Sequence, residues 1–385
     1  MSLPESIRFL AASLFAALLP AQGYAVILYA GLDGGANVPF HAATVPPTGL
    51  TVEAWVRFDD ATMPTGVPYF PTIVSQNADT QASWLLRVAS GSTNNRIVEF
   101  LVRDGAGVLQ SLTWPFAAGE LSNWTHLAAT YDGQVMTLFK NSVQVATLTL
   151  GAAYEVQNLG GVLRIGNGNR TIPGRETWNG YIDELRIWPM PRSAAEIAAT
   201  QNSTLLSMPG KVLTYNLDGD FYESSIGLSG TGFGTFNTFV DGPLLTGGGY
   251  SASSDYGPST TTCPRPADIG IGSLANLGNS AFNIWCTKAP THSPIGLFVI
   301  AAQQAPVQPP FLGVSLAFTP QSVITIAAYA PATFGLGLQR QPLPIPNSMA
   351  LLQFTVFGQF VFFDAQCGPQ GLSASNGLTI AVQSN

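Results

Sequence analysis

Apolar and polar residues alternate with a period of two along LTVEAWVRF, Leu50 to Phe58. The pattern predicts a strand with Val52, Ala54, Val56 and Phe58 facing inward and Glu53, Trp55 and Arg57 on the other face. Val98, Phe100 and Val102 mark the inner face of a second strand in the same way. Between Trp178 and Ile197 the period changes. An apolar strand, Tyr181 to Trp188, stops at Pro189 and Pro191, which lack an N–H and fix φ. Ser193 then stands three residues before Glu196, the spacing of a capping box, and predicts a short helix over Ala194 to Thr200. From Cys263 onward the pattern is short strands between Pro/Gly turns: SAFNIWCT, IGLFVIAA, GVSLAF, SVITIAAY, ALLQFTVFG and GLTIAV. That spacing predicts a second, smaller β-sandwich over residues 263–385.

Composition sharpens the division. Only 10% of the 385 residues are charged, and the chain holds 40 Gly and 28 Pro, which suits many strands joined by tight turns. A net charge of −7 argues against nucleic acid, whose phosphates it would repel. Residues 1–25 read as a signal peptide: Arg8, an apolar run broken at Pro20, and small residues at Ala21, Gly23 and Ala25. Export to the extracellular space or cell surface is therefore expected, with no transmembrane segment after cleavage. Residues 206–245 read as bridging strands packed on the first domain, and residues 246–262 as a Gly/Ser-rich linker. The 263–385 segment holds five charged residues, Arg265, Asp268, Lys288, Arg340 and Asp364, too few for electrostatic steering.

Ordered motifs in residues 26–205 resemble the laminin G-like, concanavalin A-like jelly-roll family. LYAGLDGGANVPF is similar to its opening strand and loop, LTVEAWVRF to its second strand, and TIVSQ and SWLLRV to its middle strands. NWTHLAATYDGQVMTLFKNSVQVATL is similar to its central hairpin, and LRIGNG to the strand before the closing one. The resemblance implies an all-β fold: a concanavalin A-like jelly-roll sandwich, then the second sandwich. The C-terminal segment, with LGNSAF, a KAP turn and GLSASNGL, resembles a domain of secreted bacterial proteins, those of planctomycetes especially. The glucanase relatives of the fold carry a Glu-x-Asp-x-x-Glu string, which this sequence lacks. Asp183 and Glu184 are adjacent, so on a regular strand they point to opposite faces. His41, His126 and His292 stand far apart and beside no nucleophile motif.

The resemblance also implies a structural calcium, held by a carboxylate of the closing strand and by the opening loop. Asp183 and Asp33 match those positions; a turn-stabilising Asp33 and a backbone-bonded Asp183 are the alternative. For ligand binding, Trp178 with Asn167, Asn169 and Arg170 forms a loop where sugars would stack on a ring and bond amides. Trp84 and Trp114 are expected near the same rim, Trp55 and Trp124 in the core, and edge packing is the other reading of Trp178. Cys263 and Cys367 lie in turn contexts at the two ends of the C-terminal segment and are expected to pair, with Cys263–Cys286 as the alternative. Cys286 shares a predicted core face with Phe282 and Ile284. The functional expectation is a secreted, non-catalytic recognition or adhesion protein binding carbohydrate or a cell-surface protein. A structural envelope component and a degenerate glycoside hydrolase are the alternatives.

Overall fold

The computed structural model describes residues 24–28, 33–61, 63, 66–78, 81–89, 96–168, 175–205, 212–217, 220–223, 226–241, 243, 247–249, 254–262, 266–271, 274–287, 289–290, 293, 295–305, 310–329 and 339–384. The first domain is built from β1 (Tyr24–Leu28), β2 (Gly34–Val38), β3 (Leu50–Phe58), β4 (Thr72–Gln76), β5 (Trp84–Ala89) and β6 (Ile97–Arg103). It continues through β7 (Leu109–Pro115), β8 (Thr125–Tyr131), β9 (Val135–Lys140), β10 (Val143–Thr149), β11 (Leu163–Ile165) and β12 (Gly180–Trp188), then the helix α1 (Ala194–Thr200). One sheet runs β10-β9-β8-β3-β12-β1 and ends on the strand Phe236–Asp241, with Leu213–Tyr215 also paired to β12. The facing sheet runs from Thr231–Gly234 through β2-β11-β4-β5-β6-β7. Segments on either side of Thr235 thus complete both sheets.

The alternation read from the sequence gives the core. Val52, Ala54, Val56 and Phe58 are fully buried, as are Val98, Phe100 and Val102, in one cluster between the sheets. The outer face of β3 does not behave as an exposed face. Glu53 is also fully buried, because the chain after β12 folds back over it. Ile197 of α1 packs on Ala128 and Phe139 of that outer face, and Trp188 and Arg192 hydrogen-bond Glu53.

α1 forms where the capping box predicts it. Ser193 Oγ accepts from the Glu196 N–H, and Glu196 Oε2 accepts from the Ser193 N–H at 2.7 Å. β12 departs from a regular strand. A bulge between Asp183 and Arg186, with Glu184 at φ 48°, breaks its register against β3. Asp183 pairs with the outward residue Trp55, and Glu184 reaches the outward Arg186 at 2.9 Å. Both carboxylates therefore leave the core on one side, correcting the opposite-face expectation.

The second domain is a smaller sandwich. A six-stranded sheet is ordered Ser254–Tyr256, Gly377–Ala381, Thr355–Phe363, Gly296–Ala301 and Val323–Tyr329, with Leu372–Ala374 paired to Thr355–Phe363. It packs on a three-stranded sheet of Asp268–Ile271, Asn283–Thr287 and Gln339–Pro342. Their inner faces share Ile269, Phe282, Ile284, Phe298, Phe360 and Ile380. The Gly/Ser-rich stretch is not wholly free of structure: Gly247–Gly249 pairs in parallel with Ser203–Leu205, and Ser254–Tyr256 pairs antiparallel with Gly377–Ala381. Backbone pairing needs no apolar period, so the sequence pattern does not register it. Trp188, Met190, Leu205 and Val212 meet Leu274 and Trp285 in an apolar cluster joining the two domains.

Candidate functional site

The loop chosen from the sequence turns its ring inward. Trp178 is fully buried, lies 4.7 Å from the Phe58 ring, and donates its indole N–H to the Tyr181 carbonyl at 3.1 Å. Sugar stacking on Trp178 is thereby excluded. The cause is pairing across the loop: Asn167 bridges to Thr177, which fixes the direction of the next residue. Asn167 is 1% exposed, and its amide donates to Asp33 Oδ1, the Gly34 carbonyl and Thr177 Oγ1. It supports the loop and does not meet solvent. Asn169 and Arg170 lie outside the described residues. Trp84 is a core residue bonded to the Thr44 carbonyl at 2.8 Å.

Asp33 and Asp183 belong to different sheets. β1 meets β12 with Leu28 opposite Gly180, so Asp183 lies three residues into the sheet, roughly 10 Å from that end. It is 2% exposed and accepts the Glu184 N–H at 2.9 Å. Asp33 stands at the start of β2, in the facing sheet, tied to Asn167 at 3.0 Å. Calcium needs six to eight oxygens converging at 2.3–2.6 Å, and these two carboxylates accept from the Glu184 N–H and the Asn167 amide. Cys286 keeps a buried thiol. Cys263 lies outside the described residues, while the neighbouring Thr262 N–H donates to the Cys367 carbonyl at 2.7 Å.

The outer face of the β3 sheet carries two polar groupings. The first is sealed. Arg192 reaches both Glu53 oxygens at 2.8 and 3.0 Å, Arg186 stands 3.6 Å away, and His126 3.9 Å. Burial pushes the Glu53 carboxyl up, but Arg192, His126, Arg186 and the Trp188 N–H outweigh it and hold it below its ordinary value. Burial drives His126 down to about 4, so the ring is neutral at pH 7. With Glu53, His126 and Arg186 all fully buried, no substrate reaches this cluster.

The second grouping is open, and lies where α1 leaves the sheet uncovered. Register places Ile27 opposite Tyr181, and Tyr181 opposite Arg57. Val56 opposes Thr125, so Trp124 follows beside Arg57. Ile27, Tyr181, Arg57 and Trp124 thus form a half-buried row across four neighbouring chain segments. The Arg57 guanidinium sits 3.9 Å from the Tyr181 ring centroid, and the Trp124 ring meets Tyr181 edge-on at 5.8 Å. Gly180 makes this possible. At φ 134°, a Cβ there would lie 2.1 Å from the Arg57 carbonyl, so only glycine lets β12 approach.

Arg57 and Tyr181 line a cleft of about 320 Å³ with Asp59, Ser122 and Asn179. The Asp59 N–H donates to the Asn179 carbonyl at 2.8 Å, which fixes both at its wall. Two other clefts, each about 430 Å³, lie beside the α1 alanines and beside Pro46, Pro47 and Pro189; neither has an aromatic wall. The sequence assigned Trp124 to the core and passed over Tyr181. The outward register of Arg57 was the available signal for both.

Residues 32–198 match the family described as the concanavalin A-like lectin/glucanases superfamily. Mouse pappalysin-1 is 30% identical over 96 residues, 22% of this chain and 5% of its own length, so the chain spans a small part of that relative. A Bacteroides ovatus protein provisionally described as carbohydrate-binding is 20% identical, with a TM-score of 0.39 over 56% of this chain and 62% of its own. The CBM40 domain of a Ruminococcus gnavus sialidase, bound to α2,3-sialyllactose, is 16% identical, with a TM-score of 0.35 over 46% of this chain and 95% of its own. The fold is all-β, a concanavalin A-like sandwich matched by that superfamily over residues 32–198 and followed by a second β-sandwich.

Proposed function

We propose that the protein is a secreted, non-catalytic recognition module that binds carbohydrate on the Ile27–Tyr181–Arg57–Trp124 row. The observation that carries this reading is the row itself: two half-buried aromatic rings in contact, of which Tyr181 lines a cleft with the Ser122 hydroxyl and the Asp59 carboxylate. Saccharides present apolar C–H faces that stack on rings and hydroxyls that bond such groups. The superfamily description, lectins and glucanases, supports the same ligand class. Burial of the Glu53, Asp183 and Glu184 carboxylates supports binding without hydrolysis, since a glycosidase needs two carboxylates at the bond it cleaves.

Export rests on the leader read in residues 1–25. A mature chain starting near Tyr24 to Val26 is expected by mass spectrometry of the secreted protein, and an intact Met1 would refute it. A Cys263–Cys367 bridge belongs to the same reading, supported by the Thr262 N–H bonding the Cys367 carbonyl next to Cys263 in sequence, and peptide mapping under non-reducing conditions tests it. The binding test is a glycan array followed by titration of the best hit. Tyr181→Ala removes the ring under Arg57 and should weaken binding about tenfold, the scale of one aromatic contact with its buried area. Unchanged affinity in a folded Tyr181→Ala protein would move the site elsewhere.

A further inference from the structure

Arg57 differs from most of the described cations in what it faces. Arg87, Arg96, Lys140, Arg186, Arg192 and Arg340 each stand within 4 Å of a carboxylate: Glu99, Asp60, Glu120, Glu184, Glu53 and Glu196. Arg57 makes its cation–π contact with Tyr181 and no hydrogen bond or ion pair among the described residues. It is half-buried and lines the 320 Å³ cleft. A guanidinium carries five N–H donors in a fixed plane and stays charged at every working pH. Stacked on a ring, its edge remains available as a fork for two oxygens of one anion.

Resting on the carbohydrate reading of this cleft, we propose that the bound saccharide is acidic, and that Arg57 grips its carboxylate or sulfate. The neighbouring acids leave room for such a group. Asp60 is engaged by Arg96 and the Gly119 N–H, and Glu120 by Lys140 at 2.7 Å. Asp59 lines the cleft, but its Oδ1 accepts the Ala61 N–H at 3.2 Å. On the same wall the Asn179 amide is held by the Asp59 carbonyl and the Ser122 hydroxyl donates to the Gly119 carbonyl at 2.7 Å, so the Ser122 oxygen meets a sugar hydroxyl as an acceptor. Tyr181 then has two tasks, holding the guanidinium flat on one face and bordering the sugar with Trp124. Lysine could not replace Arg57 fully, because an ammonium has one charged point and no fork.

The experiment is calorimetric titration of the full chain with three oligosaccharides of matched length: neutral, uronic-acid-containing and sulfated. At least one acidic series should bind about ten- to hundredfold tighter than the neutral one, the scale of a charge-assisted pair, and the advantage should shrink as salt is raised. The preferred acidic series identifies the anion. Arg57→Gln should bring acidic binding down to the neutral level, Arg57→Lys should restore part of it, and Tyr181→Ala should lower all three. Circular dichroism checks that each variant folds, and the wild-type comparison stands without any variant. Equal wild-type affinity for neutral and acidic ligands overturns the role of Arg57 while leaving carbohydrate binding intact. Discrimination that survives Arg57→Gln overturns it too, and failure of every saccharide to bind overturns the carbohydrate reading itself.

Discussion

Glu53 and His126 show how a strand face that alternation marks as solvent-facing becomes interior. Glu53 keeps its charge because Arg192, Arg186 and the Trp188 N–H surround it. His126 gets less: neither ring nitrogen has a hydrogen bond among the described residues, and its ring rests edge-on against Trp55 at 5.5 Å. Its folded-state value of about 4 lies below the ordinary 6.5, so the unfolded chain binds the proton more readily. Stability therefore falls as pH drops from about 6.5 to about 4, by at most about 3 kcal/mol. Glu53, held low in the folded state, adds a loss as pH falls below its ordinary 4.5. Denaturant melts between pH 7 and pH 4 should show the first decline, and His126→Gln should flatten it. A slope that persists in that variant would place the proton elsewhere. At this scale the sequence was least informative. In the sequence Glu53 shares a strand face with Arg57 and reads as its salt-bridge partner, whereas it pairs with Arg192, 139 residues away, and no local pattern carries such a partner.

At the scale of elements much more was legible. The β3 and β6 core faces, the end of β12 and the capped α1 all follow from local rules of period, proline chemistry and capping. Two features escaped those rules. The bulge at Glu184 rests on a backbone state rare outside glycine, and the inward turn of Trp178 follows pairing of Asn167 with Thr177. α1 itself exceeds its local signature. Glu196 closes the capping box, accepts the Trp285 indole N–H at 2.9 Å and meets Arg340 at 3.1 Å. Glu196→Ala should cost about 2–4 kcal/mol, a lost cap plus hydrogen bonds to a buried carboxylate. Ser193→Ala, which disturbs mainly the cap, should cost about 1 kcal/mol. Equal losses in chemical denaturation would mean that Glu196 contributes only to the helix.

For the whole molecule, that helix decides where a ligand has access. α1 and the second domain cover one part of the β3 sheet's outer face through Ile197, Trp188 and Trp285. The uncovered part keeps Tyr181, Arg57 and Trp124. The all-β fold class was readable because strands and Pro/Gly turns repeat at short range; the position of the candidate row was not, because it depends on what α1 and the second sandwich cover. The loop ring that sequence favoured is core, and the row that replaces it spans four segments brought together only by register. A crystal structure of the full chain with the best array hit tests the account most directly. It should place a sugar ring against Tyr181 and Trp124, with an anionic group at Arg57. A sugar in the cleft of Pro46, Pro47 and Pro189, leaving the row empty, would contradict it.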